Sequence, residues 1–130
     1  MKYPNLTKLT ECGGFSIYME SRRYGDGILA GIDFPLQSIG KYSYFGRESV
    51  YEYIDAANCP GDIEAMNAHF KLCDFAENNK AFLFAQGKTL DECLSQLDER
   101  AALWLELNTE QQEDLLNSFI ETQQSPSIVR

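Results

Sequence analysis

Residues 81–92, AFLFAQGKTLDE, run from an unbroken apolar segment straight into a helix start. Five apolar residues bounded by turn residues are typical of a strand that is buried on both faces. Thr89 and Glu92 then form a capping box, in which the two side chains satisfy free N–H groups in the first turn of a helix. This stretch therefore predicts a buried strand followed directly by a helix.

Two amphipathic helices are predicted after this turn. The first has one apolar stripe, made of Leu90, Leu94, Leu97, Ala101, Trp104 and Leu105. Thr109 and Gln112 form a second capping box, which opens a helix with Leu115, Leu116, Phe119 and Ile120 facing inward. From residue 123 the chain loses this pattern, so residues 123–130 are predicted to be a flexible tail.

A β-hairpin and three helices are predicted before residue 81. Residues 15–19 alternate between apolar and polar, Gly25-Asp26-Gly27 is a turn signal, and residues 28–34 form a second apolar strand. A short helix near Pro4 precedes the hairpin and ends at Gly13-Gly14. Two more helices follow it. The first is predicted to face inward with Val50, Tyr53, Ile54 and Ala57. The second is predicted to begin after an N-cap at Asp62 and to face inward with Ile63, Met66, Phe70 and Cys73.

The resulting order is α-β-β-α-α-β-α-α. We therefore expect a single α+β domain over residues 1–122, in which a β-hairpin and a third strand pack with four to five helices. The apolar fraction of 44% is that of an ordinary globule. No signal-peptide pattern and no apolar run of membrane-spanning length is present, so we expect a cytoplasmic protein.

The charge of the chain is negative and uneven. Its formal value is −9, and residues 89–130 alone hold nine acids and two bases. A field of this sign repels nucleic acid and anionic membranes, and it attracts cationic proteins. We therefore expect a basic protein as the partner, with no direct binding of nucleic acid and no membrane association.

Enzymatic motifs are missing from the sequence. No nucleophile elbow, Walker A sequence or dinucleotide-binding glycine pattern occurs, and His69 is the single histidine. Cys59, His69 and Cys73 lack the paired spacing of zinc sites, and four scattered cysteines favour reduced thiols. We therefore nominate no catalytic residue, no metal ligand and no cofactor.

The first candidate surface is the acidic face of the helix that follows Thr89. Its members are Asp91, Glu92, Asp98, Glu99 and Glu106. Glu92, Glu99 and Glu106 repeat every seven residues and form a column, and Arg100 is the one base on this helix. Solvated helix faces usually mix both signs of charge, so the lack of bases makes this column a candidate surface for a partner. A plain solvated face is the alternative.

The second candidate surface surrounds Tyr51. Glu48, Glu52 and Asp55 lie on the same predicted outer helix face, so this tyrosine stands among carboxylates. Tyrosine is common at the centres of interfaces, and an arginine would complement such a group. The alternative is that Tyr51 packs against residues 42–45 of its own domain.

The turn after residue 86 also resembles one found in small antitoxins of the HicB type. Gly87, Thr89 and Glu92 match a Gly-x-Thr-x-x-Glu turn, and the following helix is rich in leucine and includes Trp104. Phe34-Pro35 is similar to the strand that precedes the turn in that family. The two helices predicted between these segments do not fit the family pattern, so no site residue is carried over.

Together these features predict an acidic, non-catalytic, intracellular binding protein that inhibits or neutralises a cationic partner. A nuclease or another nucleic-acid-binding effector is the expected partner, as for toxin-immunity proteins, antitoxins and phage anti-defence inhibitors. A small enzyme or ligand-binding domain that uses the aromatic loop 41–47 is the alternative. A structural subunit kept soluble by its acids is a third possibility.

Overall fold

A computed structural model of the chain describes residues 2–39 and 47–124. The elements are α1 (Pro4–Thr10), β1 (Ser16–Ser21), β2 (Ile28–Asp33), a 3-10 turn (Leu36–Ser38), α2 (Val50–Asn58), α3 (Ile63–Asn78), β3 (Phe84–Gly87), α4 (Leu90–Glu106) and α5 (Thr109–Gln124). This order confirms the α+β class in one domain, with a hairpin, a third strand and five helices.

The three strands form an antiparallel sheet in the order β1-β2-β3. Paired residues point to the same side of a sheet, so Tyr18 and its partner Gly31 share one face. The ring of Tyr18 contacts Tyr51, which places α2 on that face. A side chain added at Gly87 would point to the other face of the sheet, where it would meet the backbone of Cys93 on α4. The sheet therefore lies between α2 and α4.

Aromatic side chains form several contacts in the core. Phe34 contacts Trp104 with ring centroids 5.7 Å apart, and Phe82 contacts Phe119 at 4.5 Å. All four side chains are at most 2% exposed. Burial of aromatic residues on this scale is the main source of stability for a domain of this size.

Arg100 and Asp98 on α4 tie neighbouring helix ends to the core. A guanidinium nitrogen of Arg100 donates to the carbonyls of Ala76, Asn79 and Phe82 at 3.0–3.3 Å, and burial lowers the pKa of this group. Asp98 accepts backbone N–H groups at the start of α1, which has no side-chain cap of its own. Both side chains satisfy backbone groups that a helix end leaves unpaired.

The predicted inward face of α3 is wrong. Ile63, Met66 and Phe70 are 72%, 39% and 55% exposed, and Cys73 is half-buried. The buried residues are His69, Leu72, Phe75 and Ala76. The sequence of α3 carries two apolar stripes, and the one containing Leu72 and Phe75 faces the core because it meets the aromatic cluster around Phe82 and Phe119.

Three element boundaries also differ from the sequence prediction. β3 occupies Phe84–Gly87 rather than 81–85, although Phe82 and Leu83 are buried. Asn108 and Gln111, not Thr109 and Gln112, exchange the capping bonds of α5. α5 continues to Gln124, into the predicted tail, and residues 125–130 lie outside the described part of the chain.

Candidate partner-binding surface

The start of α2 is built by a capping box on Ser49. The carboxylate of Glu52 accepts the backbone N–H groups of Glu48 and Ser49 at 3.0 and 3.1 Å, so the helix begins at Val50 rather than at Glu48. The inward residues of α2 are buried as predicted. Glu48, Tyr51, Glu52 and Asp55 therefore lie on the outer side, with Glu48 exposed and the other three half-buried.

Tyr51 is bonded to acids from three different elements. Its hydroxyl donates to Glu20 on β1 and, at 3.3 Å, to Asp55 on its own helix. Its backbone N–H donates to Asp33 at the end of β2, at 2.7 Å. These carboxylates raise the pKa of Tyr51, chiefly through the hydrogen bond to Glu20. The ring thus packs against its own sheet, while residues 42–45, the alternative contact, lie outside the described residues.

Glu20 and Asp33 were not among the predicted site residues. The antiparallel register brings them to the sheet face that α2 covers, where Asn58 also donates to Glu20 at 3.3 Å. Asn58 is buried and holds the end of β1 through the carbonyl of Ser21. Only the alternation of side chains along the two strands indicates this placement, and it does so only once the strand pairing is known.

Tyr18 lies beneath this group of acids. Its ring meets that of Tyr51 edge to face, with centroids 4.7 Å apart, and its hydroxyl sits over Gly31, where no side chain competes for the space. The hydroxyl oxygen is shielded from water and has no hydrogen-bond partner among the described residues. Burial raises the pKa of Tyr18 well above its ordinary value, and the charges of Asp33 and Glu20 add to this effect.

We define the α2 acidic surface as this group of side chains: Glu20, Asp33, Glu48, Glu52, Asp55, Tyr51 and Tyr18. Part of it lines an open cleft of about 500 Å³ that contains three of the carboxylates. Within the described residues, no lysine or arginine forms an ion pair with any of the five acids. The same part of the chain holds no group of three or more side chains arranged for a metal ion.

The acids of α4 lie on the other side of the sheet, and one of them is paired with a base. Asp91 accepts from the Tyr3 hydroxyl and pairs with Lys2 at 2.9 Å, and these contacts lower the pKa of Asp91. Asp98 is bonded to α1, and Glu92 accepts the N–H of Lys88 at 3.0 Å. Three of the five predicted α4 acids are therefore bonded within the fold.

The remaining predicted acids on α4 are Glu99 and Glu106. Both are exposed, and no described base pairs with either of them. α2 and α4 cover opposite faces of the sheet, so the structure does not bring the two predicted sets together. They form two separate surfaces, of which the α2 acidic surface is the denser.

His69, the single histidine of the sequence, lies one helical turn from Cys73 on α3, so the two side chains are tested here as a nucleophile and its base. The Cys73 sulfur is 3.5 Å from His69 Nε2, and the amide of Gln86 donates to the sulfur at 3.2 Å. Burial raises the pKa of the Cys73 thiol and lowers the pKa of His69, and the charge of Arg22 lowers the pKa of His69 further. A neutral thiol beside a neutral imidazole is a weak nucleophile, so this pair gives the enzyme alternative no support.

The other feature of that alternative is the aromatic loop 41–47. Residues 41–46 lie outside the described residues, and Arg47 has its guanidinium carbon 5.8 Å from the Tyr53 ring centroid. Comparison of the chain with protein-family models, curated proteins and solved structures finds no match. Among the described residues, none of the helices has the length and apolar character that crossing a membrane requires.

Proposed function

We propose that this protein binds a cationic protein and neutralises it by occlusion, with the α2 acidic surface as the main contact. A nucleic-acid-handling protein, such as a nuclease, is the partner that fits best, because its phosphate-binding cleft is positively charged. The observation that carries the proposal is the convergence of Glu20, Asp33 and Asp55 on Tyr51 without a described base to balance them.

Holding these acids close together has an energetic cost. Like charges held close together destabilise a fold, and most proteins reduce that cost by placing lysine or arginine among the acids. A cationic partner would supply the missing charges and relieve the repulsion. The complementary potentials would also accelerate encounter and disfavour partners of the wrong sign.

Glu99 and Glu106 have a different role in this proposal. They lie on the opposite side of the sheet from α2, so one partner domain bound at Tyr51 does not need to touch them. Their charges still add to the long-range field that steers a cationic protein toward this chain. Removing them would slow association, whereas changes at α2 would shorten the lifetime of the complex.

The test compares two double charge reversals. Tagged wild-type protein, a Glu48→Lys/Asp55→Lys variant and a Glu99→Lys/Glu106→Lys variant are used to capture partners from lysate and are eluted with a salt gradient. We expect the wild type to retain one basic protein in stoichiometric amount, the α2 variant to lose it, and the α4 variant to keep it with earlier elution. Circular dichroism checks that both variants fold.

Inhibition is tested with the captured protein after purification. Its binding to a labelled oligonucleotide should fall as the wild-type protein is added, reaching completion at one equivalent. The proposal is overturned if the α2 variant captures the same protein at the same salt concentration, or if the captured protein binds nucleic acid equally well in the complex.

A further inference from the structure

We infer that the α2 acidic surface contains a guanidinium site formed by Glu20, Tyr51 and Asp55 above Tyr18, and that its occupant is an arginine side chain of the partner. The inference rests on the proposed function and adds to it the chemical group that is recognised. Two independent observations support it: the hydrogen-bond supply around Tyr51 and the unpartnered hydroxyl of Tyr18.

The first observation is a shortage of donors. Glu20 and Asp55 are both acceptors for the single hydroxyl proton of Tyr51, and the longer of the two contacts, to Asp55, is 3.3 Å. Asn58 contributes one further N–H to Glu20, also at 3.3 Å. A carboxylate offers about four acceptor positions. Most acceptor positions of this pair therefore have no donor from the described residues.

The second observation is the hydroxyl of Tyr18. Its oxygen is buried and has no hydrogen-bond partner in the part of the chain that the structure describes, which is rare for a buried polar atom. The ring stands edge to face against Tyr51, and the hydroxyl lies over Gly31 on the sheet face that also carries Glu20 and Asp33. An N–H group that enters this face beside Tyr51 would give the hydroxyl a partner.

A guanidinium group fits these acceptors better than a metal ion or an ammonium group. Among the described residues, no three His, Cys, Asp or Glu side chains are placed to hold a metal ion together. A guanidinium carries five N–H donors in one plane and stacks on tyrosine rings, so it can bond to both acids while it contacts Tyr51. An ammonium group has three donors and cannot bridge in this fork-like manner.

The experiment measures the binding of three probes to the full chain by isothermal titration calorimetry. They are an arginine-rich peptide, the same peptide with every arginine replaced by lysine, and agmatine as a free guanidinium compound. The variants are Asp55→Asn and Tyr18→Phe, and Glu99→Gln removes the same single charge from the opposite side of the protein.

We expect the arginine peptide to bind about tenfold more tightly than the lysine peptide, a difference typical of one charge-assisted contact. Asp55→Asn should weaken the arginine peptide about tenfold, Tyr18→Phe should reduce the preference for arginine, and Glu99→Gln should leave it unchanged. If agmatine saturates the site with the same affinity as the arginine peptide, the occupant is a free guanidinium compound, and the inference of an arginine side chain from a protein is overturned.

Two results would overturn the guanidinium site itself. Equal affinity for the two peptides would show recognition of positive charge alone, and the proposed function would stand. Loss of binding by Glu99→Gln equal to that by Asp55→Asn would place the contact elsewhere. If neither peptide binds while the capture experiment still retains a cationic protein, the site is rejected and the proposed function is kept.

Discussion

The side chain of Asp98 accepts the backbone N–H of Leu6 at 2.9 Å, although the two residues are 92 positions apart in the chain. The same carboxylate accepts the backbone N–H and the side-chain amide of Asn5. α1 has no cap of its own, so an acid from α4 performs that task. Part of the negative charge of α4 is therefore structural.

Replacement of Asp98 by alanine should destabilise the fold by about 1–2 kcal/mol, as loss of a helix cap does. Glu99→Ala is the matched control, since Glu99 is the next acid on the same helix, is exposed, and has no partner among the described residues. Its cost should stay within about 0.5 kcal/mol. Urea unfolding curves measure both, and equal midpoints would contradict the capping role.

Gly27 should tolerate no side chain. Its φ is +112°, a conformation that L-residues rarely adopt, and a Cβ there would collide with the carbonyl oxygen of Gly87 on β3. Gly27→Ala should therefore cost about 3 kcal/mol. Gly61→Ala is the control, because a Cβ at Gly61 meets nothing within 4 Å. Thermal unfolding that ranks the two variants equally would refute the predicted clash.

The fold should lose stability above about pH 10 because of Tyr18 and Tyr51. The pKa of each is raised above the ordinary value of 10, so the folded protein keeps these protons to higher pH than the unfolded chain does. Their contribution is fully present below pH 10 and declines as the pH rises further. Urea unfolding between neutral and alkaline pH checks this, and a Tyr18→Phe/Tyr51→Phe variant should show a weaker decline.

The four cysteines should divide into two reactivity classes. Cys12 and Cys59 are exposed, whereas burial raises the pKa of Cys73 and raises that of Cys93 to about 11. A chromogenic disulfide reagent near neutral pH should modify two thiols rapidly and the others only after unfolding. Mass spectrometry of the fast products identifies the sites, and rapid modification of Cys93 would contradict its buried position.

The sequence was sufficient to predict what depends on local pattern. The element order and the N-caps at Asp62 and Thr89 follow from residues a few positions apart. The second bond of the capping box predicted at Thr89 differs, because the Glu92 carboxylate accepts the N–H of Lys88. Local pattern also defines the outer face of α2, since Tyr51, Glu52 and Asp55 occupy one side of a helix whose apolar stripe is unambiguous, and Glu48 directly precedes its N-cap. Helical periodicity is enough to define such a face.

The rest depended on contacts between distant parts of the chain. Glu20, Asp33 and Tyr18 join the α2 acidic surface only through strand pairing, which no local pattern specifies. Asp91 was expected to be available to a partner, but it is bonded to Lys2 and Tyr3. On α3 the sequence offers two apolar stripes, and only the packing of Phe75 against Phe82 decides between them.

The unburied stripe of α3, formed by Ile63, Met66 and Phe70, affects how copies of this protein behave toward one another. At neutral pH the charge of −9 keeps copies apart. Near the isoelectric point of about 4.5 that repulsion vanishes, and the exposed apolar stripe of each molecule then promotes association between copies. The protein should therefore be purified and stored well above that pH, because concentrated samples will precipitate as they approach it.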